Sequence, residues 1–339
     1  MINFGIIGTG VIAKQHVLGI RANKNANLAA VCDIDAEVLA KFSAEHGVDK
    51  TYTDYHAMLA DPQIDAVCIC TPSGTHGQMC IDAARAGKHI LCEKPIEITA
   101  ETLDKLVEEV EKSGVKMVCV FQRRFAAIPV KVKAALDSGE FGKVLMASAY
   151  AKYYRTPEYY KSAGWRATWA LDGGGALMNQ GVHGIDLISW LMGGVKKVCA
   201  MTRTQIHDIE VEDAAMAAVE YNNGAIGVIE GSTCAQPAQT TRFEIYCENG
   251  SIIFDDKAIR SWFLNGKQMI EGDGVSAKEV GNDDPTRVLD NAHGYLVRDL
   301  IQAIETNTMP SIGPREGRKA VDTILAIYKS SAEGKEVIL

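Results

Sequence analysis

The sequence predicts two domains: an α/β domain built on a doubly wound parallel sheet, then an α+β domain with a mostly antiparallel open sheet. Three observations predict this. A chain of 339 residues exceeds the usual size of one domain. Residues 1–122 alternate short apolar runs with amphipathic stretches, the pattern of βαβ units. Residues 123–339 set strand-like runs side by side with turn chemistry between them.

In the first domain the strand runs are Asn3–Ile7, Leu28–Cys32, Ala66–Cys70, His89–Cys92 and Lys116–Phe121. Helical stretches near 11–23, 35–46, 74–86 and 99–113 lie between them. Val, Ile and Cys fill the strands almost without interruption, as expected where helices cover both faces of a sheet. In the second domain the run Val144–Lys152 precedes an aromatic stretch and a helix over Gly174–Met192. Strand runs follow at Lys197–Gln205, Ala214–Tyr221, Ile226–Ser232, Arg242–Cys247, Ser251–Phe254 and Ile259–Leu264. Asn222-Asn223-Gly224 and Glu248-Asn249-Gly250 are hairpin turns between neighbours. The polar stretch 271–290 reads as a surface loop, and helices near 291–306 and 314–332 end the chain. The amphipathic helix Gly294–Glu305 reads as core.

Composition narrows the function classes. A 47% hydrophobic content suits a globular core, and a net charge of −8 offers no general attraction to nucleic acid or to anionic membranes. No apolar run is long enough to span a bilayer, and the first residues lack a signal-peptide layout. The nine cysteines form no CxxC pair and sit mostly inside apolar runs such as Ala66–Cys70. The expectation is a cytoplasmic protein with free thiols and no metal site.

Gly8-Thr9-Gly10-Val11-Ile12-Ala13 follows the first strand and opens the first helix, the G-x-G-x-x-G/A fingerprint of a Rossmann domain. Gly8 permits the tight turn, Gly10 lets the backbone approach a pyrophosphate, and the helix N-terminus supplies N–H donors. Asp33 ends the second strand 20 residues after Ala13, where a carboxylate accepts hydrogen bonds from ribose hydroxyls. A carboxylate there repels a 2′-phosphate, so NAD is favoured over NADP. Asp33 could instead cap the next helix, but Asp35 is placed to do so.

Three further segments carry a resemblance. Cys70-Thr71-Pro72-Ser73-Gly74-Thr75-His76 leaves the Ala66–Cys70 strand, and Glu93-Lys94-Pro95 leaves the His89–Cys92 strand. Gly173-Gly174-Gly175-Ala176-Leu177-Met178-Asn179-Gln180-Gly181-Val182-His183-Gly184-Ile185-Asp186 opens the helix of the second domain. With the glycine turn, these resemble the Gfo/Idh/MocA oxidoreductases across nearly the whole chain. Residues 153–190 look closest to the branch of UDP-N-acetylglucosaminuronate 3-dehydrogenases. The resemblance implies that Thr71, Pro72, Ser73 and His76 flank a dinucleotide, and that Glu93, Lys94 and Gln122 lie near the nicotinamide ribose. It brings Trp165 and Arg166 toward nicotinamide or substrate, and it implies a homodimer or homotetramer joined through the exposed face of the second sheet.

Oxidising a secondary alcohol requires removal of a hydroxyl proton and a donor for the reacting oxygen. Lys94, at a strand C-terminus, can supply the cation, and Pro95 permits a cis peptide after it. His183 is the expected acid/base. Asn179, His183 and Asp186 share one helix face at spacings of four and three, with Asp186 orienting the histidine or capping backbone. Many relatives carry Asp where this chain has Asn179, and an amide is no base. Asn179 can therefore only position a hydroxyl or His183.

Residues 150–171 hold Tyr150, Tyr153, Tyr154, Tyr159, Tyr160, Trp165 and Trp169, with Lys152, Arg155, Lys161 and Arg166 against Glu158. Aromatic faces suit sugar C–H groups, and arginine forks suit carboxylate or phosphate. Tyr153 and Arg155, with Lys94, Asn179 and His183, are the candidate contacts to an anionic sugar or sugar nucleotide. The same residue types suit a subunit interface. Arg123 and Arg124 read as salt-bridge links between the domains. Two other functions compete: an inositol or simple sugar dehydrogenase, and a dinucleotide-binding regulator that lost its chemistry.

Overall fold

The computed structural model describes residues 1–270, 275–276 and 292–339. The chain divides into two compact units, Met1–Gln122 with Val288–Arg318, and Arg123–Arg287 with Lys319–Leu339.

The first unit starts with β1 (Ile2–Ile7), α1 (Ala13–Arg21), β2 (Ala26–Cys32), α2 (Ala36–His46), β3 (Thr51–Tyr52) and α3 (Tyr55–Leu59). It continues through β4 (Ala66–Ile69), α4 (His76–Arg85), β5 (His89–Cys92), α5 (Ala100–Ser113) and β6 (Met117–Cys119). Its six strands run in the order β3-β2-β1-β4-β5-β6 and all neighbours are parallel. This is the strand order of a dinucleotide-binding Rossmann sheet, with the ligand edge at the carboxyl ends of the strands. Every residue of β4 is buried, which explains its unbroken apolar run. Asp35 caps α2 by accepting from the N–H groups of Glu37 (3.0 Å) and Val38 (3.1 Å), so Asp33 has no capping duty there. The two-residue β3 and five-residue α3 are too short to show a hydrophobic period, and the sequence pattern misses them.

The second unit contains α6 (Ala127–Asp137), β7 (Val144–Lys152), α7 (Pro157–Lys161), α8 (Val182–Met192), β8 (Val195–Arg203), β9 (Ala214–Tyr221) and β10 (Ile226–Ser232). β11 (Arg242–Cys247), β12 (Gly250–Asp255), β13 (Ala258–Leu264), β14 (Lys267–Ile270) and β15 (Val275–Ser276) follow. The chain ends with α9 (Ala292–Thr306), α10 (Pro314–Glu333) and β16 (Val337–Ile338). The sheet order is β14-β13-β12-β11-β7-β10-β9-β8-β16, with β15 added on β13. β7 and β10 are parallel and the other pairs antiparallel. Both expected hairpins are present, between β9 and β10 and between β11 and β12. One face buries Ala147, Ala149, Ala151, Ala217, Val219, Ile229, Phe243 and Ile245; the alternate residues face outward. Apart from β15, the stretch 271–290 lies outside the described residues.

Two expectations need correction. α9 belongs to the first unit, not to a second domain spanning 123–339. It packs on α1: Asn23 donates from Nδ2 to the Gly294 carbonyl (3.1 Å), and His293 reaches the carboxylate of Glu93 (3.2 Å). Nor is Gly174–Met192 one α-helix. Ala176–Gly181 forms a π-helical turn, and α8 begins only at Val182. The wider turn changes the spacing between Asn179 and His183 from that of a regular helix.

Candidate active site

The β1–α1 loop is shaped by Gly8, whose φ is +89° and whose N–H donates to the Cys32 carbonyl at 2.8 Å. A Cβ on Gly8 would lie 2.8 Å from the Cys70 carbonyl oxygen, so only glycine lets β1 turn this closely past the end of β4. At Gly10 a Cβ would meet nothing within 4 Å, so the backbone is open on that side. Val11 is 66% exposed, and Ile12, at the start of α1, offers no side-chain cap. The Ala13 and Gln15 N–H groups turn back to the Gly10 (3.2 Å) and Ile12 (2.9 Å) carbonyls, and with no side chain capping the helix start its dipole is open to an anion. Thr9 is buried, and both its N–H and its hydroxyl donate to Asp33 Oδ2 at 2.8 Å. It braces Asp33 from within. Ile34, beside Asp33, is 91% exposed, an apolar surface that no sequence signal marked. These residues fit a dinucleotide: an open glycine cradle, an uncapped helix start and a braced acid at the end of β2.

The loops after β4 and β5 meet at His76. Its Nδ1 lies 2.7 Å from the Pro95 carbonyl and its Nε2 2.8 Å from the Thr71 carbonyl, and the ring is buried. Burial lowers its pKa, and the two carbonyls oppose that. His76 ties the two loops together from beneath. Ser73 is also buried, whereas Thr71 and Pro72 are half-buried. The Lys94–Pro95 peptide is cis. Lys94 is half-buried, and its backbone N–H donates to Glu93 Oε2 at 3.2 Å.

Glu93 itself turns inward. Its Oε1 lies 2.9 Å from His16 Nε2 and 3.2 Å from His293 Nε2. Among the described residues neither Nδ1 has a hydrogen-bond partner, so each ring meets Glu93 through an Nε2–H donor. Burial works against the charge on Glu93, yet the two donors hold its carboxyl well below the usual range. The distances are those of hydrogen bonds, and His16 and His293 carried no sequence signal as a pair. Gln122, just past β6, has a buried Oε1 without a hydrogen-bond partner among the described residues. Such an acceptor suits a donor from a bound nicotinamide nucleotide.

In the second unit Glu212 anchors the glycine run. Its carboxylate accepts from the N–H groups of Gly175 (2.9 Å) and Leu177 (2.8 Å) and from Tyr328 Oη (2.9 Å). A Cβ on Gly175 would lie 1.9 Å from the Glu212 carbonyl oxygen, which is why this position takes no side chain. His183, in the first turn of α8, is half-buried. Asp186, three residues on, accepts from Arg124 with its Oδ1 and Oδ2 at 2.6 and 2.9 Å. Arg123 bonds Asp256 (2.8 Å) and Thr241 (3.0 Å). Both arginines therefore form ion pairs inside the second unit, where the sequence reading expected links between domains.

The aromatic stretch is sorted by burial. Tyr153 is 4% exposed, and its hydroxyl bonds Thr241, so it packs as core. Tyr159 lies between two cations, with the Arg155 guanidinium 5.2 Å and the Arg166 guanidinium 4.4 Å from its ring centre. Its hydroxyl accepts from Arg166 (2.7 Å) and Gln180 (3.0 Å). Arg166 also stacks on Trp165 at 4.7 Å. Arg155 donates to the Tyr154 carbonyl (2.9 Å), and its Nε is buried without a partner. Among the described residues neither guanidinium has a carboxylate in contact.

Comparison with known proteins follows the two-unit division. Residues 2–121 match the oxidoreductase family with an NAD-binding Rossmann fold, and residues 130–253 match a GFO/IDH/MocA C-terminal domain. The WlbA dehydrogenase from Bordetella pertussis, solved with NADH and UDP-GlcNAcA, is 32% identical, with a TM-score of 0.88 over 100% of this chain and 98% of that one. The myo-inositol 2-dehydrogenase of Thermotoga maritima is 28% identical over 99% of this chain and 98% of its own. An oxidoreductase of Bacillus subtilis, YrbE, of uncharacterized activity, is 30% identical over 74% and 73%.

Proposed function

Because the chain belongs to the Gfo/Idh/MocA family of NAD-binding oxidoreductases, a family of dehydrogenases acting on sugar CH–OH groups, we propose that it uses NAD(H) to interconvert an alcohol and a ketone on an anionic sugar or sugar nucleotide. The observation that carries the substrate class is the pair Arg155 and Arg166 around Tyr159, two cations without an acidic partner among the described residues in a chain of net charge −8. Both guanidiniums are half-buried, and a carboxylate or phosphate on the ligand would supply the counter-charge they lack.

Nicotinamide would supply or accept the hydride. The chain would supply everything else. Gly8, Gly10, Val11 and Ile12 would carry the pyrophosphate, and Asp33, held by Thr9, the ribose hydroxyls. Thr71, Pro72, Ser73, Glu93 and Gln122 would shape the nicotinamide end, with Glu93 and His76 setting the loop that holds Lys94. The Lys94 ammonium would hold the reacting oxygen, and His183 would take the hydroxyl proton or return it. Asn179 would accept a hydrogen bond from a substrate hydroxyl, while Trp165 and Arg166 would bound the sugar.

A panel of UDP-uronates, free uronates, neutral sugars and inositols, followed at the NADH absorbance band, tests this reading. The expected result is kcat/KM at least about tenfold higher for an anionic substrate than for its neutral analogue, and a loss of that margin in Arg155→Ala or Arg166→Ala. Equal rates on neutral and anionic sugars would overturn the substrate class.

A further inference from the structure

Asp172 has no place in the sequence-derived site, yet it is 3% exposed and connects two of its segments. Its Oδ1 accepts from Asn179 Nδ2 at 2.7 Å, and its Oδ2 accepts from the Ala167 N–H at 2.8 Å. Ala167 has a φ of +56°, in the left-handed region, and directly follows Trp165 and Arg166. An amide beside a carboxylate can face only one way. Its NH₂ meets the negative oxygen and its carbonyl points elsewhere, since the flipped amide would set two oxygens against each other. Asn179 thus has a fixed orientation.

We propose that Asp172 is a positioning residue: it locks the Asn179 amide with its carbonyl oxygen as the acceptor offered to a substrate hydroxyl, and it couples that oxygen to the Trp165–Ala167 turn. The inference rests on the reading that Asn179 belongs to the sugar site. It also explains the amide. An aspartate at position 179 would face Asp172 at hydrogen-bond distance, and two carboxylates so placed cannot both be ionised. The chain keeps one carboxylate across the two positions, in the buried member.

The test uses full-length N179D, D172N and the exchange D172N/N179D. In N179D the two carboxylates share a proton, so the folded state has a raised pKa. The associated stability is present at low pH and lost as pH rises through that pKa. The thermal midpoint of N179D relative to the native protein should therefore fall by several degrees, on the order of 5 °C, between pH 5 and pH 8. In the exchange the new amide at position 172 can donate to the new carboxylate at position 179 and accept from Ala167, and the decline should vanish. In D172N the new amide accepts from Ala167 and turns its NH₂ to Asn179, whose amide reverses and presents NH₂ instead of its carbonyl, which should raise KM for the sugar about tenfold with the NADH Kd unchanged. A flat difference between N179D and native across this pH range, a decline that persists in the exchange, or a D172N KM within about twofold of native would overturn the proposal. If the native protein oxidises none of the panel, the functional reading fails, while the thermal arm still decides whether the lock exists.

Discussion

We propose Asp33 as the residue on which cofactor choice turns. It accepts two bonds from Thr9 on one oxygen and the Asp35 N–H on the other, so it is held in place before any ligand arrives. A fixed carboxylate at the end of β2 repels a 2′-phosphate more strongly than a mobile one could, because it cannot swing away. Asp33→Ala should lower kcat/KM for NAD about tenfold and narrow the gap between NAD and NADP, as read by initial rates with each cofactor. A native enzyme that prefers NADP would contradict the assignment. The fingerprint loop and the place of the acid at the end of β2 were legible in the sequence, since both are local. The role of Thr9 was not: a bond spanning 24 positions leaves no trace in spacing. The same holds for Glu93, whose two histidine donors lie 77 and 200 positions away.

Among the elements, the second sheet was legible because strand periodicity and hairpin turns are short-range signals. The π-helical turn at Ala176–Gly181 was not, because its glycine run and the helix after it read as one continuous segment. What forces it is a distant carboxylate, Glu212, drawing the N–H groups of Gly175 and Leu177. The outward face of the sheet sets Met201 opposite Met216, and Ile226 opposite Met146, with Met146 in turn opposite Tyr246. Met201 is 70% exposed, Met216 61% and Ile226 59%, an apolar face that water disfavours. We propose it as the contact between copies in a homodimer or homotetramer. Met216→Lys with Ile226→Lys should shift the species to lower mass in sedimentation velocity while the circular dichroism spectrum stays native. A monomeric native protein would sink the idea.

At the scale of the molecule, charge is distributed unevenly. A net −8 chain places Lys152, Arg155, Lys161 and Arg166 in one short segment against Glu158 alone. An acidic body that keeps one basic segment can draw an anionic ligand without attracting polyanions at large. Among the described residues no helix is long and apolar enough to cross a membrane. The division into two units was predicted at residue 122, but the return of α9 to the first unit was not, because local pattern does not tell which core an amphipathic helix completes. We propose that the Lys94 ammonium holds the reacting oxygen of a sugar while the His183 imidazole moves its proton. Steady-state turnover with the best sugar, measured beside NADH affinity by fluorescence, tests it in Lys94→Ala, His183→Ala and the double variant. The expected result is a fall in kcat of at least about a hundredfold in each single variant, little further loss in the double, and an NADH Kd within about threefold of native. Near-native turnover in either single variant, with NADH still bound, would contradict it.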